Sequence, residues 1–304
     1  MKNILIIGGA GFVGSALAKH LSKEHNVTSL DNYFTGTEAN HHDRVSYIKG
    51  DSMDIHKLTP EPGFYDIIFH FGEYARVEQS YEDFETVMDY NHKSFPIVLD
   101  FARQQNAKFI YSGSSTKFAV GEDGSKMSPY AYTKAQNTEL LKAYSDWYGL
   151  KYAICYFYNV YGDHEIGQGK YATVIAKFLQ LVKEGHKTLP VTAPGSQLRN
   201  FTHINDIVSG LQLIMDNCEG DGYGIGCDRK WSMLEVVDAM GVDYQIVEAK
   251  KGNRMDGELK TDKLRALGWN ATHDLGDYIN TKLKGTRIPD TQYDTPWQFG
   301  TWLK

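Results

Sequence analysis

The 304 residues carry 32 Lys and Arg against 38 Asp and Glu, a net charge of −6, with 41% apolar and 23% charged residues. That much apolar surface suffices for a sizeable core and excludes a disordered chain. The mild acidity removes the attraction from which nucleic-acid binders draw most of their affinity, so no nucleic-acid partner is expected. Cys155, Cys218 and Cys227 fit neither a zinc spacing nor a disulfide framework. No apolar run reaches the ~18 residues of a membrane span, and the start does not read as a secretion signal. The expectation is a cytoplasmic protein without a membrane segment or a bound metal, of about two structural units.

In chain order, Ile4–Ile7, Val27–Leu30, Val45–Ile48, Ile67–Phe71, Phe109–Ser112 and Tyr152–Phe157 are short, continuous apolar runs. Such runs read as strands buried on both faces of a parallel sheet. Between them Ser15–Glu24, Val87–Gln105 and Tyr130–Tyr148 carry apolar residues at three- and four-residue spacing. The alternation predicts a doubly wound α/β sheet. Further on, Tyr171–Glu184 and Asn205–Asn217 read as helices, Leu189–Gly195 is marked by Pro and Gly, and Gly220–Gly226, with four glycines in seven residues, reads as a loop. The polar tail Gly285–Lys304 is expected on the surface or docked against a neighbour.

The first strand ends in Gly8-Gly9-Ala10-Gly11-Phe12-Val13-Gly14 and a helical run follows at once. Glycines there let the backbone turn tightly and approach a pyrophosphate, which the helix N-terminus then faces. Asp31 closes the second strand 17 residues after Gly14, close to the spacing at which an acid meets the adenosine ribose and repels a 2′-phosphate, favouring NAD. The bland alternative is a turn Asp, since Asp31-Asn32 is a turn pair. Asp51 is placed either on the adenine amino group or in a plain loop.

Tyr130 and Lys134 stand four apart on one helical face. A free phenol titrates near ~10 and is a poor base at neutral pH, whereas a neighbouring ammonium favours the phenolate. Such a pair moves a hydroxyl proton while hydride passes to a nicotinamide. Ser114, in Ser114-Ser115-Thr116, follows the fifth strand, where α/β sheets place ligand-binding groups, although a Ser/Thr turn or N-cap gives the same pattern.

In order along the chain, Gly8–Gly14, Asp31-Asn32, Gly50-Asp51, His70–Ser80, Asn91, Ser112–Thr116, Tyr130/Lys134, Asn159–Gly162, Gln197–Asp206 and Leu267-Gly268-Trp269 resemble the nucleotide-sugar epimerase/dehydratase branch of the extended short-chain dehydrogenase/reductases. The resemblance spans roughly residues 2 to 284. It implies a Rossmann-type NAD-binding domain over 1–163, to which 202–226 return, and a smaller, mostly C-terminal α/β substrate-binding region over 164–304. NAD would lie on Gly8, Gly11, Phe12, Val13, Gly14, Asp31, Asn32, Asp51, Ser52, Phe71, Asn91, Tyr130 and Lys134. Ser114, Tyr130 and Lys134 match the catalytic positions. Ser114, Tyr130, Asn159, Arg199 and Arg254 match positions that contact a nucleotide sugar, the two arginines suiting its phosphates. The Val87–Gln105 and Tyr130–Tyr148 helices resemble those that form a four-helix homodimer interface.

The departures are as informative. Ser115-Thr116 stand where dehydratases of this branch carry Asp-Glu, and Thr116 where decarboxylases carry Glu and 3,5-epimerases Cys. Lys117-Phe118-Ala119 replaces Val-Tyr-Gly, Gly72-Glu73 replaces Ala-Ala, Tyr156 replaces an arginine, and Met255-Asp256-Gly257 replaces the Pro-Gly-Asp after Arg254. The gate for N-acetylated sugars falls near Lys260. By elimination the resemblance leaves 4-epimerisation of a UDP-hexose through a 4-keto sugar as the simplest reaction. A dehydrogenase or reductase with net redox and a non-catalytic NAD-binding scaffold are the alternatives. His41-His42 reads as a solvated loop, His70 as a structural histidine near the cofactor, and the start of the helix after His203 as capped by Asn205 or Asp206.

Overall fold

A computed structural model describes residues 1–59, 61–118, 123–249, 251–252 and 254–286. The first half runs β1 (Asn3–Ile7), α1 (Phe12–Leu21), β2 (Asn26–Asp31), β3 (Val45–Lys49), the one-turn α2 (Ile55–Leu58), β4 (Ile67–His70), α3 (Phe84–Val87), a π turn (Met88–Lys93), α4 (Ser94–Gln105), β5 (Lys108–Ser114), α5 (Pro129–Tyr148) and β6 (Tyr152–Phe157). The second half runs β7 (Val160–Tyr161), α6 (Val174–Lys183), β8 (Thr188–Thr192), β9 (Leu198–Asn200), β10 (Thr202–His203), α7 (Ile204–Asn217) and β11 (Gly220–Ile225). It closes with β12 (Lys230–Ser232), α8 (Met233–Ala239), β13 (Asp243–Val247), α9 (Asp262–Ala266) and α10 (Leu275–Leu283).

Seven strands form one parallel sheet in the order β11-β6-β5-β4-β1-β2-β3. Alternate residues of β1 bury on opposite faces. Ile4 and Ile6 pack with Leu17 of α1 and Ile207 and Leu211 of α7, while Leu5 and Ile7 pack with Phe95, Val98 and Leu99 of α4 and Leu141 of α5. Helices on both sides explain why the strands are apolar without alternation. A third core, built from Ile175, Phe178, Leu189, Trp231, Val236 and Ile279, joins α6, β8, α8 and α10.

Three expectations need correction. Gly220–Gly226 is largely a strand. Tyr223, Gly224 and Ile225 pair with Cys155, Tyr156 and Phe157 beyond a register shift, and a Cβ on Gly224 would stand 2.0 Å from the Lys260 carbonyl, so this glycine marks a close backbone approach. The Val87–Gln105 helix is interrupted by the π turn at Met88–Lys93. Pro96 cannot donate to the carbonyl four residues back, and the wider turn absorbs the mismatch. The α7 N-cap is His203, whose Nδ1 accepts from Asn205 N–H at 3.2 Å. The tail reading falls mostly on 287–304, outside the described residues.

Asp206, freed from capping, is 3% exposed and accepts from the N–H groups of Thr272 and His273 at 3.1 Å each and from Thr272 Oγ1 at 2.9 Å. It ties the segment before α10 to α7. Asp206→Ala strips these buried donors at once and is expected to cost about 3 kcal/mol in urea unfolding, against about 1 kcal/mol for Thr272→Val.

Candidate active site

The strand order reverses between β1 and β4, so a crevice opens at their carboxyl ends. A cleft of about 600 Å³ lies there, lined by Gly8, Gly11, Phe12, Val13, Gly14, Phe71, Ser114, Tyr130, Lys134, Asn159, Arg199 and Arg254. Thus the glycine turn, the Ser/Tyr/Lys group and both arginines come together in one place.

The turn fits a dinucleotide. Gly8 has φ +84°, and a Cβ there would stand 2.6 Å from Gly72 N, while one on Gly14 would stand 2.1 Å from the Gly8 carbonyl oxygen. Both glycines serve the protein's own packing. Gly11 does not, since its φ is −77° and a Cβ would have only an ordinary 3.4 Å contact with the Gly8 carbonyl oxygen. Its missing side chain opens the N-terminus of α1, where no side chain caps the helix and no acid occupies the first turn. A phosphate-bearing ligand fits that space and that dipole.

Asp31 is 8% exposed and accepts from Ala10 N–H and Tyr33 N–H, each at 2.8 Å. It therefore braces the glycine turn. Asn32 donates to Asp51 at 3.0 Å, and Asp51 also caps the turn that begins at Ser52 by accepting from Met53 N–H at 2.9 Å. Asn91 is buried in the π turn. Its side chain accepts from Tyr74 N–H at 2.7 Å and donates to the Tyr74 carbonyl and to Thr133, each at 3.1 Å. Asp31, Asn32, Asp51, Ser52 and Asn91 do not line the cleft itself.

Ser128 caps α5 by accepting from Ala131 N–H at 3.1 Å, with Pro129 in the first position. That fixed start sets Tyr130 at the cleft and Lys134 one turn deeper. Ser114, the last residue of β5, shares a 2.8 Å hydrogen bond with Thr116. Lys134, 4% exposed, donates to Glu73 Oε2 at 2.5 Å and to the Ser112 carbonyl at 2.6 Å. Glu73, with a side chain 1% exposed, also accepts from Asn137 at 2.8 Å and Tyr111 at 3.0 Å. Burial pushes its carboxyl up, but the Lys134 and His70 side chains outweigh burial and hold it down at about 2. His70 lies beneath, wholly buried among Phe95, Phe109 and Tyr111, its Nε2 3.6 Å from Glu73.

Arg199 donates to the Arg254 carbonyl at 2.7 Å, and Arg254 to the Ser115 carbonyl at 2.7 Å. Burial, then the neighbouring Arg254 charge, lowers Arg199 to about 10. Asp256 is engaged elsewhere, accepting from Lys230 on both oxygens at 2.7 Å. Lys260 pairs with Glu258. Two departures from the family pattern meet. Lys117 donates to Tyr156 at 2.5 Å, and Tyr156 donates to Asp221 at 2.6 Å, which also pairs with Lys142 at 3.0 Å. Ala119, the last residue of the Lys117-Phe118-Ala119 departure, lies outside the described residues. Sequence reading passed over two cleft residues, Arg76 and Glu165. Arg76 sits inside the matched His70–Ser80 segment, but nothing local marked it, and Glu165 lies in a loop without a motif.

A sequence profile of the NAD dependent epimerase/dehydratase family matches residues 4–226. The chain belongs to that family. It is an NAD-dependent enzyme of nucleotide-sugar chemistry, and NAD is its cofactor. Among its relatives, a putative UDP-glucose 4-epimerase of Methanocaldococcus jannaschii is 27% identical, over 91% of this chain and 95% of that one. A UDP-N-acetyl-alpha-D-glucosaminuronate decarboxylase of Bacillus cytotoxicus is 29% identical over 77% and 78%. The structure of Thermus thermophilus UDP-glucose 4-epimerase with NAD superposes with a TM-score of 0.81 at 25% identity, covering 93% of this chain and 98% of that one. No helix among the described residues is long and apolar enough to cross a membrane.

Two outcomes are expected. Gly11→Ala weakens NAD binding at least tenfold while thermal stability moves by less than about 0.5 kcal/mol, whereas Gly14→Ala loses about 1–3 kcal/mol of stability. Glu73→Gln leaves the Lys134 ammonium buried without its counter-charge and costs about 3 kcal/mol at neutral pH. The Glu73 contribution is present above its ordinary value of 4.5 and is lost as pH falls toward about 2. Denaturant unfolding across that window therefore shows the gap between the two proteins closing as pH drops.

Proposed function

We propose that the protein is a nucleotide-sugar 4-epimerase that acts on a UDP-hexose through a 4-keto sugar and retains its NAD. The observation that carries this reading is the composition of the β5 exit. Ser114, Tyr130 and Lys134 share the cleft with the glycine turn, and the two positions after Ser114 offer hydroxyls, Ser115 and Thr116, rather than carboxylates for removing water or CO₂. Glu73, though it lines the cleft, is committed to Lys134, Asn137 and Tyr111.

In this mechanism Ser114 holds the oxygen on carbon 4 and Tyr130 takes its proton. Bound NAD supplies the acceptor for the hydride from carbon 4 and then its donor. Lys134 has three N–H bonds, of which Glu73 and the Ser112 carbonyl take two. The third remains for the cofactor ribose or Tyr130, and the ammonium stabilises the phenolate. Arg199 and Arg254 hold the diphosphate while the keto sugar turns, and Tyr130 returns the proton when hydride arrives on the opposite face. For the assembly we propose a homodimer through α4 and α5, supported by Tyr132, Trp147 and Tyr148, which α5 leaves 47%, 65% and 59% exposed; light scattering is expected to give twice the 34.4 kDa chain mass.

Proton NMR in heavy water with purified protein, UDP-sugars and no added NAD tests the reaction. The expected product is inverted at carbon 4 with no solvent deuterium on carbon. Tyr130→Phe lowers kcat by about 10²–10⁴-fold with sugar-nucleotide affinity kept within a few-fold. Deuterium at carbon 5 or a deoxy product would replace epimerisation with dehydration.

A further inference from the structure

We infer that the hexose this cleft accepts carries a carboxylate, making the substrate a nucleotide-linked hexuronate, and that Arg76 is the residue that reads it; the inference rests on the nucleotide-sugar reading above. Arg76 lies on the segment leaving β4, on the wall of the same cleft as Tyr130 and Glu165. Two carbonyls aim its guanidinium. Nε donates to the Tyr171 carbonyl and Nη1 to the Ala75 carbonyl, each at 2.9 Å. A guanidinium has five N–H bonds, so three, including both on Nη2, face no partner among the described residues. None of the described carboxylates lies within the 4.0 Å of an ion pair with it.

A half-buried cation held in one orientation with no anion is a costly arrangement unless a ligand brings the anion. Burial already lowers the Arg76 pKa. The diphosphate does not require it, because Arg199 and Arg254 stand together on the β5 and β9 side, Arg199 holding the Arg254 carbonyl and Arg254 the Ser115 carbonyl. Arg76 instead shares the cleft wall with Tyr130 and Glu165, which sets it toward the sugar's reacting end. A neutral hydroxymethyl there would take one hydrogen bond and leave the charge unanswered. A planar carboxylate takes two from the Nη1/Nη2 edge.

Glu165, a carboxyl whose charge acts on Arg76, does not fill this role. Glu165 accepts from Gly162 N–H at 3.3 Å, and burial pushes it up to about 7 against the opposing pull of Thr173, Gly162 and Arg76. The groups facing it are Arg76 on the segment after β4, Thr173 at the start of α6, Tyr278 of α10 and the Gly162 N–H. Below about 7 it is protonated and can donate to a ligand carboxylate; above that it becomes a competing anion. Affinity for a hexuronate therefore falls as pH rises through neutrality, and Glu165→Gln flattens that fall.

The reaction gives the arginine a second task. Oxidation at carbon 4 turns a hexuronate into a β-keto acid, in which the electrons of the C5–C6 bond can flow into the ketone as CO₂ leaves. A guanidinium that holds the carboxylate charge stabilises it more than the departing, charge-depleted carbon, so the bond persists until hydride returns to carbon 4.

Calorimetric titration of the NAD-loaded protein at pH 6.5 with UDP, UDP-glucose and UDP-glucuronate, followed by NMR of the products, tests the assignment. UDP-glucuronate is expected to bind at least tenfold more tightly than UDP-glucose. Arg76→Met erases that preference with UDP affinity kept within twofold, and its residual turnover yields more pentosyl nucleotide. Should Arg76→Met fold poorly, seen as lost UDP affinity, Arg76→Lys keeps the charge, loses the fork, and is expected to retain only part of the preference. Equal or tighter binding of UDP-glucose, or a preference that survives in both variants, overturns the assignment while leaving the epimerase reading intact. Failure of UDP and both sugars to bind overturns both.

Discussion

The buried pair of Glu73 and Lys134 is the constraint on which the rest of the site depends. It joins four parts of the chain. Glu73 comes from the exit of β4, Lys134 and Asn137 from α5, the Ser112 carbonyl from β5, and the Asn91 carbonyl, which Asn137 also binds at 2.7 Å, from the π turn. Two charges removed from water are tolerated only because nearly every remaining valence is met within this cluster. The cluster fixes how α5 seats on the sheet, and with it where Tyr130, one turn earlier, meets the cleft. An ammonium anchored at two points loses no further freedom when substrate arrives, which is what a preorganised electrostatic group requires.

Seen this way, the departures from the family pattern are exchanges rather than losses. Glu73 enters where small residues are usual and is answered by Lys134, Asn137 and Tyr111. Lys117 and Tyr156 replace other residues at separate points in the sequence and are answered together by Asp221. Each exchange keeps a buried polar group satisfied, so the scaffold survives while the surroundings of the sugar change.

Local patterns in the sequence carried the six leading strands, the helices between them and the glycine turn, because burial on both faces and tight turning leave signatures within a few residues. The Tyr130/Lys134 spacing was legible for the same reason, since i to i+4 on a helix is local. What escaped was set by partners far away. The glycines of β11 looked like a loop because their pairing with β6 and the approach of Lys260 lie tens of residues off. The π turn answers a proline several residues later. Arg76 stands unmarked inside the His70–Ser80 segment, Glu165 belongs to no motif, and only folding sets them together on the wall of the cleft.

The central claim, that hydride leaves carbon 4 and returns to the same molecule on retained NAD, is tested most directly with a UDP-sugar deuterated at carbon 4, incubated with the protein and excess unlabelled NAD. The expected product is inverted and keeps its deuterium at carbon 4, with none in the free cofactor pool. Deuterium accumulating in free reduced cofactor, with an oxidised sugar in equal amount, would contradict it and establish net redox instead.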